Sequence, residues 1–125
     1  MISFPDAVRR GFQQYATFSG RANRPEYGWW VLFVWLVDVV ASILDGIVGT
    51  GIGSSGYYGV FGLVVGLALL VPNIAVSIRR LHDTNKSGWM FLLFLIPCAG
   101  IIIWIIFMVQ EGTPGDNNYG PPSTA

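Results

Sequence analysis

Residues 27–47 read YGWWVLFVWLVDVVASILDGI, an apolar run in which only Asp38 and Asp45 are charged. A helix needs about 20 apolar residues to cross the ~30 Å hydrocarbon core of a bilayer, at about 1.5 Å per residue. Residues 58–78 and 89–109 form two further runs of the same length and character. The sequence therefore predicts an all-α integral membrane protein with three transmembrane helices.

The composition favours a single membrane domain over residues 1–125. At 53% hydrophobic and 11% charged residues, the chain is too apolar for an ordinary soluble domain of this length. Its formal net charge is zero, so no overall field attracts nucleic acid, and we predict no nucleic-acid partner. The one cysteine, Cys98, excludes an intramolecular disulfide and a cysteine-based metal site. We predict neither a metal nor a cofactor.

The positive charges indicate the orientation of the chain in the membrane. All 7 Lys and Arg residues lie either before the first apolar run or between the second and the third. They are Arg9, Arg10, Arg21, Arg24, Arg79, Arg80 and Lys86. Connections rich in Lys and Arg stay in the cytoplasm. With three spans, this predicts a cytoplasmic N-terminus and places residues 110–125 outside the cell as an extended tail.

Residues 3–18 carry the pattern of an amphipathic helix. Apolar side chains recur at helical spacing on one face, and polar ones occupy the other. The apolar positions are Phe4, Val8, Phe12 and Tyr15, and the polar ones are Arg9, Arg10, Gln13 and Gln14. Ser3 is predicted to cap the helix. We expect it to lie on the inner membrane surface or to pack against the cytoplasmic loop of the same protein, and both can hold.

Asp38 and Asn73 are the polar residues predicted deepest in the membrane. Asp38 falls about 16 Å from the inner end of the first run, near the bilayer centre, at ~1.5 Å per residue. An ionisable group there is costly and indicates a functional site by default. It must be protonated, reach water, bind a cation or find a partner in another subunit. Asn73 lies on a stripe of small residues in the second run and is predicted to hydrogen-bond across a helix contact.

The densest polar chemistry is predicted on the cytoplasmic side. It comprises Arg21, Arg24 and Glu26 before the first run, and Arg79, Arg80, His82, Asp83 and Lys86 between the second and third. Both segments are tied to neighbouring helix ends, so we expect them to meet. A basic surface with hydroxyl and amide donors suits anionic phosphates, including lipid head groups. The same residues also have a structural interpretation, in which the arginines pair with Glu26 and Asp83.

Three blocks of sequence resemble a bacterial inner-membrane family known as domain of unknown function 805. They are YATFSGRANRPEY at 15–27, RRLHDTNKSGW at 79–89 and GTPGDNNYGP at 112–121, and Pro97 also matches. The resemblance covers nearly the whole chain. It implies a small multi-pass protein of the bacterial inner membrane, without an established activity. One departure is Asn85, which stands where the family would be expected to have glycine.

Three functional hypotheses follow. The first is a non-enzymatic membrane component that engages a membrane-protein partner or anionic lipid through the cytoplasmic cluster. The second is a homo-oligomeric proton or cation pathway through Asp38, since three helices alone leave little room for a conduit. The third is an enzyme acting on a phosphorylated or lipidic substrate, with His82 and Asp83 as an acid-base pair. We favour the first and predict no catalytic residues.

Overall fold

The computed structural model describes residues 2–48, 51, 52 and 58–123. Its elements are α1 (Phe4–Gln13), α2 (Arg24–Val48), β1 (Gly51–Ile52), β2 (Tyr58–Gly59), α3 (Val60–Asp83), a 3₁₀ helix (Gly88–Leu95) and α4 (Ala99–Val109). The short antiparallel pair β1–β2 joins α2 to α3, and these two helices are long and apolar enough to cross a membrane. The predicted helical fold is confirmed, and so are its first two long apolar helices.

The contact between α2 and α3 combines an apolar core with hydrogen bonds. Tyr27 and Trp30 of α2 are buried against Leu69 and Val76 of α3. The Trp30 indole Nε1 donates to Asn73 Oδ1 over 2.7 Å. Asn73 therefore bonds across the helix contact as predicted, and its partner is Trp30. This bond fixes the register of the two helices because each group would otherwise be unsatisfied in an apolar setting.

The two aspartates of α2 have different surroundings. Asp45 is buried, and its carboxylate accepts hydrogen bonds from the backbone N–H groups of Phe61 at 2.9 Å and Gly62 at 3.0 Å. It thus caps the start of α3 from the end of α2, where a carboxylate also complements the helix dipole. A Cβ on Gly59 would overlap this carboxylate. Asp38, by contrast, is exposed.

The third apolar run is folded back on itself. The 3₁₀ helix and α4 form its two arms, and we call Gly88–Val109 the hairpin. The rings of Phe94 and Phe107, one from each arm, are in contact, with their centroids 5.9 Å apart. A Cβ on Gly100 would overlap the Phe94 carbonyl. The predicted single helix over 89–109 is therefore wrong. Pro97 lacks an N–H and disfavours a continuous helix, and Cys98 turns the chain with a φ of 64°.

Residues 110–123, the tail, return to the connector between α1 and α2. Arg21 of that connector donates to the carbonyls of Thr113 at 2.5 Å and Gly115 at 2.6 Å. The tail therefore lies at the same end of the α2–α3 pair as the N-terminal segment. The tail is therefore not at the opposite end of the helix pair, where the sequence predicted it, and the side of the membrane on which it lies stays a prediction. The reason is that the hairpin returns the chain to the end from which it started.

Helix α1 packs against α2. It begins with Ser3, whose hydroxyl accepts from the Asp6 N–H at 3.4 Å as predicted, and it ends at Gln13, before the predicted residue 18. Phe4 meets Trp29 edge-on with ring centroids 5.7 Å apart, and Phe12 meets Trp30 at 5.5 Å. The structure thus packs α1 against α2, whereas the sequence predicted packing against the cytoplasmic loop. The placement of α1 on the membrane surface stays a prediction.

Candidate functional site

The first of two buried ion groups centres on Glu26, in the first turn of α2. Its N–H donates to the side chain of Asn23 at 3.0 Å, which helps start the helix. Glu26 is 2% exposed, and its carboxylate forms ion pairs with Arg10 of α1 and, at 3.9 Å, with Arg79 of α3. Arg79 also donates to Gln14, just after α1. Glu26 therefore joins three helices through charge.

The second ion group centres on Asp83, the last residue of α3. One carboxylate oxygen accepts from Arg21 Nε at 3.1 Å, and the other accepts from Arg80 Nη1 at 2.7 Å. All three side chains are buried. Arg80 also donates to the carbonyls of Met108, at the end of the hairpin, and Gln110, just after it. A buried carboxylate between two guanidinium groups is stable only while each remains paired.

Arg21 holds the tail. Besides Thr113 and Gly115, it donates to the carbonyls of Gly120 at 3.3 Å and Asp83 at 3.4 Å. The Thr113 N–H in turn donates to the Asp83 carbonyl at 2.7 Å. A Cβ on Gly112 would overlap the Asp83 carboxylate, so glycine permits this close approach. The planar guanidinium, with five N–H donors, suits such a set of acceptors.

His82 contributes to the same fold of the tail. Its ring stacks on Tyr119 with centroids 4.0 Å apart, and Nδ1 lies 3.0 Å from the Gly20 carbonyl. The Asn117 side chain donates to the His82 carbonyl at 2.9 Å. Asp83, next in sequence, is held by the arginines described above. These contacts tie His82 to the connector and the tail, and they do not join it to Asp83 as an acid-base pair.

The structure brings the eight predicted cluster residues to one end of the molecule, which we call the basic end. Six of them are buried there: Arg21, Glu26, Arg79, Arg80, His82 and Asp83. Arg24 is exposed, and Lys86 is partly buried, with Nζ 2.5 Å from Gln110 Oε1 and 4.9 Å from the Phe107 ring centroid. Burial, together with the charge of Arg80, lowers the pKa of Lys86. The predicted surface cluster is therefore mostly internal.

Sequence reasoning missed Arg10, Gln14 and the tail as parts of this cluster. Arg10 and Gln14 are one helical turn apart on the polar face of the N-terminal segment, and that spacing could have placed both near Glu26 and Arg79. For the tail, the available signal was its block GTPGDNNYGP. The turn-forming residues of this block do not indicate which part of the protein the tail packs against.

An open cavity of about 360 Å³ lies between the start of α2 and the tail. Arg24 and Glu111 lie at its surface with side chains 50% and 86% exposed, and their charged atoms are 3.9 Å apart. Thr113 and Ser123 also line the cavity. The loose, exposed pair leaves the Arg24 charge accessible to another anion.

Further polar contacts lie deeper between the helices. The Tyr27 hydroxyl lies 3.0 Å from Ser77 Oγ and accepts a 2.9 Å hydrogen bond from Trp104 Nε1 of α4. Ser77 and Trp104 also line a second cavity, of about 250 Å³, whose other walls are mostly apolar and include Phe91 and Phe94. These bonds attach the hairpin to the α2–α3 pair. Neither they nor the Trp30–Asn73 bond involves Asp38.

Comparison with known proteins identifies the family. The inner membrane protein YhaH of Escherichia coli strain K12 is 41% identical over 109 residues, which cover 87% of this chain and 88% of that protein. The inner membrane protein YhaI of the same strain is 38% identical over 108 residues, or 86% of each. No solved structure matches the chain significantly. A family model described as protein of unknown function (DUF805) matches residues 15–121, and the chain belongs to that family.

Proposed function

We propose that the chain is a non-enzymatic component of the bacterial inner membrane that binds anionic lipid head groups at its basic end. In this arrangement α2 and α3 cross the membrane, and the hairpin enters and leaves it from the cytoplasmic side. The N-terminus and the tail are both cytoplasmic. The orientation rests on the positive-inside rule, since all 7 Lys and Arg residues belong to segments at the basic end.

The dimensions of the hairpin support a re-entrant placement. Eight residues of 3₁₀ helix rise about 16 Å, and eleven residues of α-helix rise about 16 Å. Each arm thus reaches about half of the ~30 Å hydrocarbon core. At the turn, the N–H groups of Ile96, Ala99 and Gly100 donate to nearby carbonyls and Pro97 has none to satisfy, which leaves the N–H of Cys98. Such internal bonding limits the cost of placing the turn in lipid.

The accessible charge of Arg24 is the observation that carries the lipid proposal. Most other cationic side chains at the basic end pair with Glu26 or Asp83 or bond to the tail. Arg24, by contrast, lies half-exposed at the mouth of the 360 Å³ cavity. The exposed aromatic side chains of Phe18, in the connector before α2, and Trp89, at the start of the hairpin, belong to segments at the same end. Aromatic rings with nearby cations are typical of the membrane interface. A phosphate could replace Glu111 as the partner of Arg24.

Two substitutions with opposite expected effects test this proposal. Arg24→Gln should weaken binding of phosphatidylglycerol about fivefold, since a cation near an anionic surface contributes ~1 kcal/mol. Glu111→Gln should strengthen it, because it removes the competing carboxylate. Binding is measured by native mass spectrometry of the protein from nanodiscs of defined lipid composition.

Arg9→Gln is the matched control for Arg24→Gln, since Arg9 is exposed, pairs with Asp6 in α1 and does not line the cavity. Equal lipid binding by the Arg24, Glu111 and Arg9 variants would contradict the proposal. Retention of a protein in place of lipid, lost in Arg24→Gln, would show that the basic end binds a membrane-protein partner instead.

A proton or cation pathway through Asp38 is a second candidate function. The exposure of Asp38 near the middle of α2 favours it, because a pathway between subunits needs an accessible carboxylate. Ion flux into liposomes that is unchanged by Asp38→Asn would remove this candidate. The enzyme hypothesis has less support, since His82 and Asp83 both have structural contacts. If His82→Ala kept full activity in an assay of the protein, the enzyme hypothesis would lose its proposed acid-base pair.

A further inference from the structure

Asp38 is the starting point of a further inference. It is exposed near the middle of α2, between the exposed side chains of Trp35 and Val39. All Lys, Arg and His residues of the sequence belong to segments at the basic end, so the chain offers no cation in the outer half. An ionisable side chain facing lipid at this depth is costly and normally turns toward protein or water. Asp38 therefore needs a protein or water partner, and we find none for it within the described part of the chain.

The surface around Asp38 suits another helix. Ser42 and Gly46 follow Asp38 at successive helical turns, and both are exposed. A Cβ built on Gly46 would meet nothing within 4 Å, so the face of α2 that carries Gly46 is open there toward the described part of the chain. Small residues one turn apart allow two membrane helices to approach closely. The hairpin does not cover this surface, since α4 meets α2 near Tyr27, well before Asp38.

We propose that a second copy of this chain covers the Asp38 surface, α2 against α2, with the two Asp38 carboxyl groups hydrogen-bonded to each other. In a two-fold symmetric contact each residue near the axis faces its own counterpart. A carboxylic acid suits that position because it both donates and accepts a hydrogen bond. A partner chain that supplied a cation would pair with Asp38 without needing a group that both donates and accepts a hydrogen bond.

Cysteine cross-linking tests which face of α2 meets the second copy. In a Cys98→Ser background, Ser42→Cys should form a disulfide-linked dimer in native membranes under mild oxidation. Leu44→Cys is the matched control, since it lies at nearly the same depth, is also exposed and points about 160° away at ~100° per residue. Equal cross-linking at both positions would overturn the proposal. So would a cross-linked product whose mass is not that of a dimer.

The role of the carboxyl pair is tested by energy transfer between labelled copies in liposomes. Asp38→Leu should raise the dimer dissociation constant about threefold to thirtyfold, the effect expected for an interhelical hydrogen bond in a membrane. Asp38→Asn should keep the dimer, because an amide can also bond to its own copy. An unchanged dissociation constant for Asp38→Leu would overturn the proposal.

We rest this inference on the proposal that α2 crosses the membrane, and the two can fail separately. Labelling of Ser42→Cys by a water-soluble maleimide in folded protein would overturn the membrane-spanning placement of α2. Lack of labelling, combined with cross-linking no greater than that of Leu44→Cys, would overturn the dimer alone. Lipid binding at Arg24 is measured at the other end of the molecule and depends on neither result.

Discussion

Asp83→Ala should lower the free energy of unfolding by about 3–5 kcal/mol, because it leaves the buried guanidinium groups of Arg21 and Arg80 without their carboxylate. The loss should fall toward the lower end of that range, since Arg21 keeps its bonds to tail carbonyls. The measurement is equilibrium unfolding in detergent. Asp116→Ala is the control, because it removes the same charge from an exposed position in the tail.

A second substitution separates the cost of an unpaired charge from a general loss of packing. Adding Arg80→Met to Asp83→Ala removes one of the two stranded guanidinium groups and should recover part of the stability. Interacting residues are expected to show such non-additivity. The stabilising role of the buried ion group would be contradicted if the unfolding free energies of Asp83→Ala and Arg80→Met simply added in the double variant. It would also be contradicted if Asp116→Ala lowered the unfolding free energy as much as Asp83→Ala does.

Arg21→Lys should release the tail while keeping the charge. Lysine cannot reach the carbonyls of Thr113, Gly115 and Gly120 together, and hydrogen bonds to a charged group contribute about 1.5–3 kcal/mol each. A net loss of ~3 kcal/mol would raise the population of the open tail about a hundredfold. The measurement is the rate of chymotrypsin cleavage after Tyr119, followed by mass spectrometry of the shortened chain.

The control for this variant is Arg24→Lys, because Arg24 is close to Arg21 in the chain but contacts the tail region only at its margin, through the Val109 carbonyl and Glu111. Its cleavage rate after Tyr119 should be close to that of the original protein. Cleavage rates that rise equally in the Arg21 and Arg24 variants would show that no single arginine holds the tail. An unchanged rate in Arg21→Lys would directly contradict the role of Arg21 in holding the tail.

The long helices were predictable because their signal is local. Residues 27–47 lie within α2, and residues 58–78 cover β2 and most of α3, as expected for long apolar runs. Pro72, inside α3, does not end that helix. The third run has the same length and apolarity, but Pro97, Cys98 and Gly100 turn it back. A hydropathy window counts apolar residues and is insensitive to that turn.

The composition of the basic end was predictable, but its burial was not. The sequence places Arg21, Glu26, Arg79 and Asp83 beside neighbouring helix ends, and they do meet. Their burial depends on α1 and the tail covering them, and those contacts join residues far apart in the chain. Asn85 is an instructive local case, because it adopts a φ of 60° at the position where the resemblance led us to expect glycine. Asparagine tolerates this left-handed conformation better than most residues.

The location of the tail tests the central claim most directly, since a re-entrant hairpin returns the chain to the cytoplasm and a third span would not. In a Cys98→Ser background, Asp116→Cys is compared with Ser55→Cys, between β1 and β2, for labelling by a membrane-impermeant maleimide in intact cells. We expect Ser55→Cys to react in intact cells and Asp116→Cys to react only in inverted vesicles. Labelling of Asp116→Cys in intact cells would contradict the re-entrant arrangement.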